Sequence, residues 1–137
     1  MKHRDAEGCS EASPVACRVL RELRAVVEVA RAGYSVVEGG GTWIRPHVGP
    51  SNKRLKLHLG LRVPGSASND SGPCVAVRAG NETRSWTEGG VLLLDDSFVH
   101  EVWNDCDEDA ERVIFQVVVR HPLLQQRLNY AAIVVDA

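Results

Sequence analysis

In "KRLKLHLGLR" the chain alternates strictly: Leu55, Leu57, Leu59 and Leu61 fall on one side, Arg54, Lys56, His58, Gly60 and Arg62 on the other. Successive side chains of a strand point to opposite faces, so the segment predicts a half-buried β-strand with an apolar core face and a cationic face. Short strands are also predicted at "CVAVRAG", "TRSWT", "VLLLDD", "HEVWN" and "RVIFQVVVR". Upstream the period is different. Val15, Val19, Leu20 and Leu23 recur at helical spacing behind Ser13-Pro14, which reads as an N-cap and a first helical position. That predicts one amphipathic helix from about residue 14 to about residue 24. "GYSVVEGGGTW" reads as a strand interrupted by three glycines, and "PGSASNDSGP" has turn chemistry throughout. His121-Pro122 ends the last strand, and "LLQQRLNYAA" predicts a short helix or an ordered tail. One leading helix followed by many short strands predicts an all-β fold with a peripheral N-terminal helix. The jelly roll, a cupin-like double-stranded β-helix, fits best.

The 137 residues suffice for one domain, and residues 1–12 are expected to be flexible. Sixteen basic residues stand against 18 acidic ones with no basic run, which argues against nucleic acid or an anionic membrane and for a small ligand. No window approaches the roughly 18 apolar residues of a membrane span, and "MKHRDAEGCSEAS" lacks the apolar core of a signal peptide, so the chain as written reads as cytoplasmic. Cys9, Cys17, Cys74 and Cys106 include no Cys-x-x-Cys pair and make no zinc pattern. Cys9 and Cys17 would close a short disulfide loop in an oxidising compartment; without an export signal, buried or idle thiols are the expectation.

Two histidines are candidate metal ligands: His47, just before the leucine-rich strand, and His100, in "DDSFVHEVW". An arbitrary histidine more often fills a pocket than binds metal, and the residue two along from His47 is Gly49, not a carboxylate. Arg112 opens the last strand on the same face as Ile114, Gln116 and Val118, an apolar setting in which a guanidinium would pair strongly with a ligand carboxylate. Asp95 and Asp96 are expected to bond loop amides or to orient a ligand. Trp86 and Trp103 read as packing residues, and Glu82 as a turn or ion-pair residue.

"RPHVGPSNKRLKLHLGLRVP", "VRAGNETRSWTEGGVLLLDDSFVHEVWN" and "RVIFQVVVRHPLL" resemble the aspartyl/asparaginyl β-hydroxylases, iron and 2-oxoglutarate dioxygenases with a jelly-roll core. The resemblance runs from about Ser35 to Leu124, and "SPVACRVLREL" before it is similar to the family as well. It implies Fe(II) on His47 and His100, with Gly49 where most of the wider superfamily places a carboxylate. It implies a 2-oxoglutarate site built from Ser35, Lys56, His58 and Arg112, with Arg112 on the far carboxylate, and Arg54 as a substrate-carboxylate contact. Position 56 is Lys where the family pattern has Arg, so a bidentate contact becomes a flexible point charge. The implied reaction uses molecular oxygen to hydroxylate the β-carbon of an aspartyl or asparaginyl residue in a peptide, protein or small molecule. The animal enzymes carry further upstream parts, which makes the endoplasmic reticulum an alternative location if the chain is a fragment. Other readings are halogenation, with chloride in the position vacated at Gly49; a non-catalytic jelly-roll binding protein; and a three-histidine metal site that includes His58.

Overall fold

The computed structural model describes residues 13–65 and 72–124. The stretch expected to be flexible at the N-terminus and the tail after Leu124 lie outside the described residues. Helix α1 spans Pro14–Arg24, the predicted helix. Pro14 sits in its first turn, and Ser13 precedes it without a side-chain capping bond; its hydroxyl instead lies 3.4 Å from the Tyr34 hydroxyl. Eight strands follow: β1 (Val29–Val37), β2 (Thr42–His47), β3 (Arg54–Arg62), β4 (Val75–Ala79), β5 (Glu82–Arg84), β6 (Val91–Leu94), β7 (His100–Asn104) and β8 (Arg112–Arg120). A 3-10 turn closes the described chain at Pro122–Leu124.

The described residues are all-β apart from α1 and this turn. One antiparallel sheet has the order β1-β8-β3-β6, the other β2-β7-β4-β5. Only β4 and β5 are consecutive neighbours; every other connection crosses from one sheet to the other. "GYSVVEGGGTW" is thus two strands in different sheets. Gly40 and Gly41 take the left-handed backbone that the sharp crossover demands (φ 74° and 88°).

Two apolar layers form, one on each side of the first sheet. Val37, Val75, Val77, Trp86, Leu94, Val102 and Ile114 come from both sheets and fill the space between them. Phe115, Val117 and Val119 face the other way and are covered by Leu20 and Leu23 of α1 and by Leu55, Leu57 and Leu59 of β3. The strict alternation of β3 therefore holds, but with a correction. Its leucine face packs outside the sandwich under the helix, and Leu61 at the end of that face is 44% exposed. The cationic face turns toward the inter-sheet interior, where His58 is 4% exposed.

The closed end of the sandwich is pinned by Asn104, which is fully buried. Its side-chain amide donates to the carbonyls of Val37 (3.0 Å) and Ala110 (2.8 Å), and its oxygen accepts from the Cys106 amide (3.3 Å). Beside it Cys74 and Cys106 form a disulfide with Cα atoms 5.1 Å apart. Cys17 is also disulfide-bonded. These correct the expectation of idle thiols; the proposed Cys9–Cys17 loop involves residue 9, outside the described residues.

Candidate active site

β2 and β7 run antiparallel, and their register places His47 opposite His100 at the end of both strands. The two imidazole rings are 4.2 Å apart between centroids, inclined by 53°. His47 is exposed and His100 buried, so the pair spans the mouth of the sandwich. Both rings are oriented in the same way. Nδ1 of His47 lies 2.8 Å from the Arg45 carbonyl, and Nδ1 of His100 lies 2.9 Å from the Phe98 carbonyl. A carbonyl only accepts, so each Nδ1 carries the proton and each Nε2 presents a lone pair. Such anchoring by a backbone carbonyl is how a metal-binding imidazole is normally held. Burial lowers the His100 pKa, the bond to Phe98 opposes this, and nearby His47 and Lys56 lower it further while Asp96 raises it. The neutral, ligating form is the favoured one.

His58 behaves differently. The Trp86 indole N–H donates to its Nδ1 at 3.3 Å, which leaves the proton on Nε2, 3.2 Å from the Gln116 side-chain oxygen. Both ring nitrogens are used, so the three-histidine site has no free donor on His58. Burial, with the charges of Arg112 and Lys56, pushes its pKa down to about 4. His58 is a neutral N–H donor in the interior. Among the described residues no three His, Cys, Asp or Glu side chains come together as a metal group.

Arg112 is 2% exposed at the start of β8. One of its terminal nitrogens donates to the Ser35 hydroxyl at 3.0 Å, across the β1–β8 pairing in which Ser35 faces Ile114. Its guanidinium stacks on Trp86, 4.4 Å from the ring centroid. Burial alone pulls its pKa down to about 10, so it remains a cation. Its Nε is buried without a hydrogen-bond acceptor, and among the described residues it has no carboxylate partner in an ion pair. A buried, unpaired donor on a cation is costly and calls for an anion.

Lys56 and Asp96 complete the arrangement. Lys56 Nζ lies 3.0 Å from Asp96 Oδ2, and both side chains are largely buried. The Asp96 backbone carbonyl accepts from the Gly49 amide at 2.6 Å. A Cβ on Gly49 would collide with all three atoms of the Asp96 carboxyl group. The carboxylate absent at position 49 has a carboxylate standing against it, contributed by a residue four before His100. Asp95 bonds the amide and hydroxyl of Ser97 (3.0 and 2.7 Å), the loop role expected for it. Arg54 opens β3 on the same face as Lys56 and His58 and is exposed. A groove of about 1050 Å³ between the β4–β5 hairpin and β6 shares Trp86 and Leu94 with the interior, but neither His47, His100 nor Arg112 lines it.

Four of these residues are charged or tautomeric partners that spacing did not single out for such roles: Trp86 under Arg112, Gln116 on His58, Ser35 on Arg112, and Asp96 against Gly49. Family resemblance implies a role for Ser35; the pattern alone marks Trp86 as packing, Gln116 as sharing a face with Arg112, and Asp96 as a loop or ligand-orienting residue. Their contacts join positions far apart in the chain.

Fold and site together define an all-β protein with two paired imidazoles at its mouth and an interior cation that has no ion-pair partner among the described residues. A family profile described as aspartyl/asparaginyl beta-hydroxylase matches residues 2–122, and the chain belongs to that family. It is 40% identical over 134 residues to the mouse aspartyl/asparaginyl beta-hydroxylase, covering 95% of this chain and 17% of that protein. To the human protein of the same name it is 40% identical over 131 residues, 93% of this chain and 16% of the other. The chain thus spans about a sixth of these relatives. The crystal structure of TT1209 from Thermus thermophilus aligns over 89% of this chain and 100% of that one, with 17% identity and a TM-score of 0.46.

Proposed function

We propose that the chain forms a single catalytic domain, a double-stranded β-helix, that uses Fe(II), 2-oxoglutarate and molecular oxygen to hydroxylate the β-carbon of an aspartyl or asparaginyl residue. The observation that carries the reading is the His47–His100 pair, with both Nδ1 atoms bonded to carbonyls and neither Nε2 hydrogen-bonded among the described residues. The interleaved sheet orders support the jelly roll. The names of the relatives support the substrate class, and the Cys74–Cys106 disulfide supports an oxidising compartment such as the endoplasmic reticulum over the cytoplasm.

The residues fit both cofactors. Imidazole nitrogens suit Fe(II), and the unpaired Arg112 Nε beside the Ser35 hydroxyl suits a buried carboxylate. When bound, the iron and keto acid supply the oxidising chemistry, coupled to loss of carbon dioxide and formation of succinate. The chain supplies the rest. His47 and His100 would hold the metal from adjacent strands of one sheet. Arg112, fixed by Trp86 and Ser35, would fix the far carboxylate from the opposite sheet. His58, held neutral, would donate its N–H inward without adding charge. Arg54, exposed at the start of β3, would meet a substrate carboxylate where the sandwich opens.

The position of Asp96 bears on halogenation. The space beside Gly49 is already filled by the Asp96 carboxyl group, so a chloride there would have to displace it. This favours hydroxylation.

The test is succinate release from 2-oxoglutarate with added Fe(II) and a panel of aspartyl and asparaginyl peptides, for the parent, His47→Ala and Arg112→Met. Both variants should fall to background. A parent no more active than its variants overturns the reading, and a product carrying chlorine in its isotope pattern would replace hydroxylation with halogenation.

A further inference from the structure

We infer that Lys56 is a positioning residue for Asp96 rather than a holder of the keto acid, and that Gly49 is the space this pair occupies. Three observations meet here. Lys56 and Asp96 are ion-paired at 3.0 Å with side chains 17% and 6% exposed, so neither charge is dispersed into water. The segment carrying His47 is bonded to the segment carrying His100 through Gly49 N–H to the Asp96 carbonyl. The volume next to the Gly49 α-carbon is filled by the Asp96 carboxyl group itself.

The charge balance gives the consequence. The Lys56–Asp96 pair is neutral as a unit, whereas Arg112 is a buried cation with no ion-pair partner among the described residues. An incoming dicarboxylate is thus drawn to Arg112; to recruit Lys56 it would have to strip the lysine from Asp96 and leave a buried carboxylate unpaired, which is strongly unfavourable. Lys56 instead fixes where the Asp96 carboxylate stands, against Gly49, which is two residues along from His47. The side chain at 49 and the carboxylate at 96 are mutually exclusive, and Lys56 decides between them by anchoring the second.

The metal and keto-acid arm of the test rests on the proposed function; the stability arm does not. Thermal melts of the metal-free full chain are compared for the parent, Gly49→Ala, Asp96→Ala and the double variant. Gly49→Ala is expected to lower the melting temperature by several degrees in the parent and to lose most of that effect in the Asp96→Ala background. A second cycle takes Lys56→Met and Asp96→Asn, which should be less destabilising together than the sum of the two alone, with Lys56→Arg restoring parent behaviour. Additive effects in both cycles would overturn the assignment. In the other arm, Mn(II) and 2-oxoglutarate are titrated separately by calorimetry, the keto acid with Mn(II) saturating. Lys56→Met should weaken Mn(II) binding and leave keto-acid affinity within about threefold, while Arg112→Met loses roughly 100-fold. A large loss of keto-acid affinity with unchanged Mn(II) binding in Lys56→Met would make Lys56 a direct cofactor ligand and sink the inference. If the parent binds neither probe, the iron reading falls and the two stability cycles alone decide the positioning role.

Discussion

Replacing Arg112 by Met should separate what the residue does for folding from what it does for binding. Burial holds the guanidinium pKa well below its ordinary value, at about 10, which corresponds to about 3 kcal/mol against the charged form. In the ligand-free protein two contacts offset this. The bond to Ser35 is worth about 1 kcal/mol, and stacking on Trp86 about 1–2 kcal/mol. The Met side chain follows a similar path and lies against Trp86 and Ile114 without a charge or an unpaired Nε. The balance predicts a ligand-free Arg112→Met variant within about 1 kcal/mol of the parent, or slightly more stable. With 2-oxoglutarate the order reverses, because truncating a buried charged partner costs about 2–5 kcal/mol of binding. Urea melts followed by tryptophan emission, each with and without saturating 2-oxoglutarate and Mn(II), read both effects at once. Ligand should raise the parent midpoint and not that of the variant. A ligand-free loss of more than about 2 kcal/mol would show Arg112 to be a structural strut. An unchanged ligand response would remove it from the binding site.

Two further outcomes follow from the interior and from the closed end. His58 titrates near 4 when folded and near 6.5 when unfolded, so the unfolded chain binds more protons between these values; the contribution, ~3 kcal/mol, is present above about pH 6.5 and lost as pH falls toward 4. Urea midpoints of the parent should drop across that window while those of His58→Gln drop less, and parallel slopes would contradict the neutral-donor role. The Cys74–Cys106 disulfide spans a sequence separation of 32 residues, and its loss in a Cys74→Ser/Cys106→Ser variant should cost about 3–4 kcal/mol on the chain-entropy account. A urea midpoint unchanged by that double substitution would show that the closed end is held by Asn104 alone.

What could be read from the chain follows the range of the signal. Helix α1 and the alternation of β3 are local patterns, and both are present at the expected residues. His47 and His100 were legible as candidates, and their approach is a consequence of β2–β7 register that no local pattern encodes. The same limit explains the misjudged face of β3. Alternation separates leucines from cations, but which set faces the second sheet depends on where α1 docks. Leucine under a helix and leucine between sheets look identical in sequence. The disulfide has no local signature, because Cys74 and Cys106 lie on segments that the β4–β7 pairing brings together. Trp86 carried a packing signal that was correct and incomplete, since its N–H sets the tautomer of His58 while its face supports Arg112.

The two apolar layers around the first sheet divide the protein's tolerance to change. Residues that hold α1 onto β3 and β8 secure the fold from outside, where no ligand-facing group depends on them. The opposite face of the same strands carries Lys56 and His58 on β3, and Arg112 and Gln116 on β8. A substitution at any one of these changes the inward groups bonded to it, Asp96 for Lys56 and Gln116 for His58, and leaves the leucine layer on the far side of the sheet in place. Change on this scaffold can therefore be confined to the coupled inward set, with the outer layer acting as a stability reserve that absorbs the cost of each trial.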